Sequence, residues 1–203
     1  MIIAATSDVH MPKYYDDFVV ALDRLTVKPD LFLIAGDMVY RGEESEYDKL
    51  HNLFFGKIFC PIVSCFGNNE FQEIREKVRG KYKEIKFLDD SSAVIEFGRY
   101  IVGIFGSTGS LETPTPWQQA NVPNIERLYQ SRIELAQTQL HRMMNANFRI
   151  LLLHYAPTHK TLEGENPRFY SSMGNKVFEN VLNKEKPNLV INGHAHRGTK
   201  QAL

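Results

Sequence analysis

Leu31-Phe32-Leu33-Ile34-Ala35-Gly36-Asp37 is five apolar residues in a row, then a glycine, then a carboxylate. An unbroken apolar run of that length, preceded by Pro29-Asp30 and ended by glycine, reads as a strand buried on both faces with a polar group at its end. The same grammar recurs four times. Residues 2–6 lead to Asp8 and His10, residues 61–65 to Gly67-Asn68, Phe148–Leu153 to His154, and residues 189–191 to Gly193-His194-Ala195-His196. Five strands that end in polar residues can bring those residues to one edge of a sheet.

Between the strands the apolar spacing changes to that of helices. Residues 15–27 place Phe18, Val19, Leu22 and Leu25 on one side, and further helices are expected over 43–55 and 71–79. This opening β-α-β-α-β-α order argues for a largely parallel sheet. Residues 93–97 and 100–105 are two short apolar runs joined at Gly98-Arg99, a hairpin that begins a second sheet or an antiparallel edge. Residues 107–123 carry Gly109, Pro114, Pro116 and Pro123 around Trp117, and are expected to form a long ordered loop or lid without a helix. A strong helix follows over 125–144, 155–170 is irregular, and a helix over 177–182 ends before Pro187. There is no internal repeat or low-complexity tract.

At 203 residues, 43% hydrophobic and 24% charged, the chain suits one globular domain, 1–203. Acidic and basic side chains balance at 24 each, so no stable nucleic-acid complex is expected. The opening residues are too soon polar for a signal peptide, and no stretch reaches the ~18 apolar residues of a membrane span, so no membrane association and a cytoplasmic location are expected. Cys60 and Cys65, five apart on a strand, point to opposite faces and are expected to be buried free thiols.

Seven polar residues at the strand ends, Asp8, His10, Asp37, Asn68, His154, His194 and His196, are candidate metal ligands. Three oxygen donors with four imidazoles suit Mn²⁺, Fe²⁺ or Zn²⁺ better than Ca²⁺ or Mg²⁺. A lone Asp or Asn at a strand end is more often a turn or helix cap. Four of the chain's seven histidines directly after apolar strands shift the balance toward a pair of divalent ions, whereas His51 and His141 fall on charged helical faces.

Taken in order, Asp8-Val9-His10, Gly36-Asp37, Gly67-Asn68-Asn69-Glu70, His154 and Gly193-His194-Ala195-His196 resemble the signature of the calcineurin-like metallophosphoesterases. The resemblance implies an α/β fold, a four-layer α-β-β-α sandwich of the metallo-dependent phosphatase type. It also implies two divalent metal ions, one held by Asp8, His10 and His196, the other by Asn68, His154 and His194, with Asp37 bridging. The implied chemistry is hydrolysis of a small phosphorylated substrate, a mono- or diester, by metal-activated hydroxide. Gly36, Gly67 and Gly193, each just before a ligand, let the backbone turn sharply and approach the ions.

The sequence also departs from the family pattern. Where many members have a histidine after the asparagine ligand, this chain has Asn69, which can donate a hydrogen bond but cannot deliver a proton. Tyr40 replaces the Asp that supports that histidine in the protein phosphatase branch, while Arg41 matches that branch's phosphate-binding arginine or else opens the following helix. His159 is a candidate for leaving-group protonation, with a surface role as the alternative. Trp117, Tyr170, Lys160 and Arg168 could frame a substrate pocket, although packing explains Trp117 equally well. Some family members serve as inactive scaffolds, and Asn69 leans that way; seven unsubstituted ligands lean toward an enzyme. A zinc peptidase is disfavoured because no H-E-x-x-H occurs. The chain ends seven residues after His196, where relatives commonly add strands. It is expected either to be a short variant or to lack those strands, and in the second case an edge of the sheet would be exposed, with a homo-oligomer as one possible consequence.

Overall fold

The computed structural model describes residues 1–202. Two four-stranded sheets lie face to face. The first contains β1 (Ile3–Thr6), β2 (Leu31–Ala35), β3 (Ile62–Cys65) and β4 (Ile85–Leu88) in that order, all parallel. The second contains β5 (Ser91–Phe97), β6 (Tyr100–Ser107), β7 (Phe148–Leu153) and β8 (Leu189–Asn192), with β5 antiparallel to β6 and the rest parallel. Helices α1 (Tyr15–Asp23), α2 (Glu46–Lys57) and α3 (Gln72–Lys81) accompany the first sheet, and α5 (Ile125–Arg142) and α6 (Phe178–Glu185) the second. A short helix α4 (Pro116–Asn121) precedes α5.

The apolar run of β2 shows why four layers form. On β2, Leu31, Leu33 and Ala35 point between the sheets to meet Val63, Leu88, Ile104, Ile150 and Leu152. Phe32 and Ile34 point the other way, onto Phe18 of α1 and Leu50 and Phe54 of α2. Because strand side chains alternate, a run buried on both faces must have a sheet on one side and helices on the other. β7 repeats the pattern, sending Ile150 and Leu152 inward and Leu151 and Leu153 onto Ile133, Leu140 and Phe178 of α5 and α6. The sheets approach closely where Gly106 faces Leu88, since a Cβ there would lie 2.4 Å from the leucine Cβ.

Several expectations need correction. β4 was not foreseen, because Ile85-Lys86-Phe87-Leu88 is short and interrupted by a lysine. β1 and β8 are edge strands and only partly buried, where continuous burial was expected. α1 stops at Asp23, short of the β-branched Thr26-Val27, and α2 begins at Glu46, three residues late. Residues 107–123 do contain a helix, α4, because Pro116 sits at its first position, where no N–H is needed, behind a Thr115–Gln118 capping box. Trp117 on α4 is 64% exposed, so packing does not explain it. Cys60 is only partly buried, Cys65 is buried, and both are free thiols. No helix among the described residues is long and apolar enough to cross a membrane.

Candidate metal centre

All seven predicted ligand positions lie just beyond the C-terminal ends of strands, Asp8 and His10 after β1, Asp37 after β2, Asn68 after β3, His154 after β7, and His194 and His196 after β8. The packing of the two sheets turns these ends toward each other. Potential donor atoms of Asp8, His10 and His196 lie within 4.8 Å of one another, as do those of Asp37, His154 and His194. Asn68 joins the second group, its Oδ1 3.0 Å from His154 Nε2. Asp37 stands between the groups, with Oδ2 4.0 Å from His10 Nε2 and 3.4 Å from His154 Nε2.

The backbone is bent to achieve this. Asp8, His10, Asp37 and His194 all have positive φ, at 58°, 47°, 55° and 69°. Such left-handed residues outside glycine carry strain that the surrounding structure must hold in place. Gly67 tolerates no side chain, because a Cβ would lie 2.1 Å from Asp37 Oδ1. Glu70, fully buried, supplies the hold. Its carboxylate accepts the backbone N–H groups of Asp37, Met38, Val39 and Gly67 and the hydroxyl of Tyr47. Arg75 then ties the same loop down, donating to the carbonyls of Glu70 and Gly67 and to Asp89. Sequence reading quoted Glu70 within its motif but assigned it no role; its place directly after two asparagines was the available signal.

Electrostatics divides the imidazoles. Burial alone would lower the pKa of His154, but the Asp37 carboxylate outweighs it and pushes the group up to about 9. Asp37 is correspondingly held well below the usual carboxylate range, burial being overcome by His154 and two hydrogen bonds from Asn69. His194 is pushed down to about 4 by burial and by its neighbour His154. Burial also lowers His10, whereas the Asp8 carboxylate raises His196. His154 Nδ1 lies 2.8 Å from the Ala35 carbonyl, a hydrogen bond that turns Nε2 toward Asp37 and Asn68.

These donors fit a cation. Asp8 Oδ1 is buried and has no hydrogen-bond partner. It lies 3.6 Å from His10 Nε2 and 3.4 Å from His196 Nε2, while those two nitrogens face each other at 3.2 Å. At these distances the Asp8 oxygen makes no well-formed hydrogen bond, whereas a divalent ion among the three atoms would satisfy them all. A groove of about 1040 Å³, lined by Asp8, His196 and the length of β8, opens this side of the cluster to solvent.

This architecture agrees with the comparison by sequence, in which the model of the calcineurin-like phosphoesterases matches residues 1–198. The chain belongs to that family. Among curated proteins, none matches it. The chain is similar in fold to the phosphopantetheinyl hydrolase of Mycobacterium tuberculosis, with a TM-score of 0.68 at 13% identity over 100% of this chain and 85% of that one. It is also similar to the protein TT1561 of Thermus thermophilus, with a TM-score of 0.59 at 15% identity over 95% and 81% of the two chains.

The remaining residues singled out in the sequence occupy different settings. Asn69 is bound into the cluster, its backbone and side-chain N–H groups donating to the two Asp37 oxygens at 2.7 and 2.6 Å. Its Oδ1 accepts the N–H of Arg41, which is exposed and stacks on the Tyr40 ring. His159 lies in a 3₁₀ turn, its Nε2 3.1 Å from a Glu112 oxygen and its ring against Tyr170, so its partners lie outside the seven. Sequence reading missed Tyr155, whose buried ring packs edge-on against His194 with centroids 4.9 Å apart. Gln118 of α4 donates to the Tyr155 hydroxyl and so braces that ring.

Proposed function

We propose that the chain is a dinuclear metal-dependent phosphoesterase that hydrolyses a small phosphate ester, mono- or diester. The observation that carries this reading is the convergence of seven oxygen and nitrogen donors in two adjacent sets, with Asp37 of the second set 4.0 Å from His10 of the first. Asp8, His10 and His196 would hold one ion, Asn68, His154 and His194 the other, and Asp37 would bridge; Mn²⁺, Fe²⁺ or Zn²⁺ suits the set. When bound, such a pair supplies Lewis-acid polarisation of the phosphoryl group and acidification of water near neutral pH.

The chain's own residues position the reaction. Asn69 orients Asp37 through two hydrogen bonds and holds Arg41 through a third. Arg41 is exposed beside the cluster, and its planar fork suits phosphate oxygens. With Asn69 where a proton donor would stand, leaving-group protonation must come from water or from a movement of His159 away from Glu112. Activity is therefore strongest toward esters with good leaving groups. The intact donor set, with a bare buried Asp8 oxygen, disfavours the scaffold reading, which has no use for it.

Elemental analysis of the purified protein, with turnover of nitrophenyl-type esters in Mn²⁺, tests the proposal. Metal-dependent turnover should fall at least about hundredfold in Asp37→Asn, and rates across a series of aryl esters should decline steeply as leaving-group pKa rises. Protein that binds no metal and gains no activity from any ion would refute the reading.

A further inference from the structure

Next to His10, two loops carry aromatic and cationic residues of which the proposed reaction uses only Arg41. The segment after His10 folds back on itself, with the Lys13 N–H donating to the His10 carbonyl and the Tyr14 N–H to the Val9 carbonyl. The segment after Asp37 is stitched to it, since Met11 N–H donates to Met38 and Tyr40 N–H donates to Met11. Tyr14 and Tyr40 therefore flank the His10 ring, with centroids 6.4 and 6.3 Å away and both edge-on. Each tyrosine carries a cation on its face, the Lys13 ammonium 4.7 Å from the Tyr14 ring and the Arg41 guanidinium 5.1 Å from the Tyr40 ring.

We infer that Lys13, Tyr14 and Tyr40 form a subsite for a second, non-scissile phosphate, so that the preferred substrate is a small phosphate ester bearing a further phosphate group. The inference rests on the phosphoesterase reading of the adjoining cluster. Its chemistry is that of an anion site. Lys13 and Arg41 have no carboxylate at ion-pair distance among the described residues, and the ammonium, guanidinium and two phenols offer donors. A nucleobase stacked on these rings is the weaker fit, because a cation already covers one face of each. Lys13, Tyr40 and Arg41 are exposed, so a ligand reaches them without displacing the core. A phosphate held here would sit beside His10, next to the group being cleaved.

Calorimetric titration of the Mn²⁺-loaded protein, freed of excess metal, with adenosine 3′,5′-bisphosphate and adenosine 5′-monophosphate separates the contributions of the two phosphates. The bisphosphate is expected to bind about tenfold or more tightly than the monophosphate. In Lys13→Ala that ratio should fall to within about twofold of unity, while Lys13→Arg retains most of it. Equal affinities in the unmodified protein, or an undiminished ratio in Lys13→Ala, overturn the subsite. Turnover of bis(4-nitrophenyl) phosphate on the same samples keeps the two ideas apart. Turnover without the preference refutes only the subsite, and the preference without turnover refutes only the hydrolase reading.

Discussion

Glu70 illustrates how much of this site depends on a residue that touches no proposed ion. Burial and the charge of Asp37 push its carboxyl pKa up, yet four backbone N–H groups and Tyr47 converge on its two oxygens. Glu70→Gln keeps the shape but turns one acceptor into a donor facing other donors. Metal affinity should then fall about 10–100-fold, as for other residues that orient ligands, measured by Mn²⁺ titration of protein verified as folded. His154 gives a pH prediction with a definite sign. Its pKa in the metal-free protein, about 9, lies above the ordinary 6.5. The His154–Asp37 pair therefore stabilises the metal-free fold fully below about pH 6.5, and that contribution is lost as pH rises through about 9. Metal binding requires the neutral imidazole, so it strengthens over the same interval. The melting-temperature gap between metal-loaded and metal-free protein should widen from pH 6.5 to 9; a constant gap would contradict the assignment of His154.

Among the elements, α4 is the one whose sequence signals conflicted. Three prolines and a glycine in residues 107–123 argue against a helix, but Thr115-Pro116-Trp117-Gln118 is also a capping box with proline at the first position. The local cap prevails because this proline surrenders no hydrogen bond. Gln118 then does two jobs, accepting the Thr115 N–H and donating to Tyr155, so the helix start is coupled to the wall of the metal centre. Thr115→Ala should cost about 1 kcal/mol of local stability, seen as faster amide exchange over 116–121 with little change in the global unfolding midpoint. Unchanged exchange there would show that the cap does not hold α4.

The whole molecule is stabilised through the interface between the sheets. Leu152 is fully buried there with Leu33, Val63 and Ile104, whereas Phe59 is 83% exposed. Leu152→Ala should cost about 2–5 kcal/mol in denaturant unfolding, and Phe59→Ala no more than about 0.5 kcal/mol. The same interface sets the site, because the ends of β1, β2 and β3 come from one sheet and those of β7 and β8 from the other. A core deletion that let the sheets shift would separate the Asp8 and His10 half from His196, even though no ligand had changed.

The sequence by itself located the strands that carry the seven candidate donors and marked, after the first three helices, a change of pattern that it left open between a second sheet and an antiparallel edge. Each of these is written in local apolar periodicity or in a residue placed directly after an apolar run. Only the tertiary structure decided that Asp37 stands between the two donor sets, that Glu70 binds their loops together, that Asn69 grips Asp37, and that Tyr14 and Tyr40 meet at His10. Those relations join residues far apart in the chain, such as Asp37 and His154. They arise from how the two sheets pack and how their loops bend at positive φ, which no local pattern of residue types encodes.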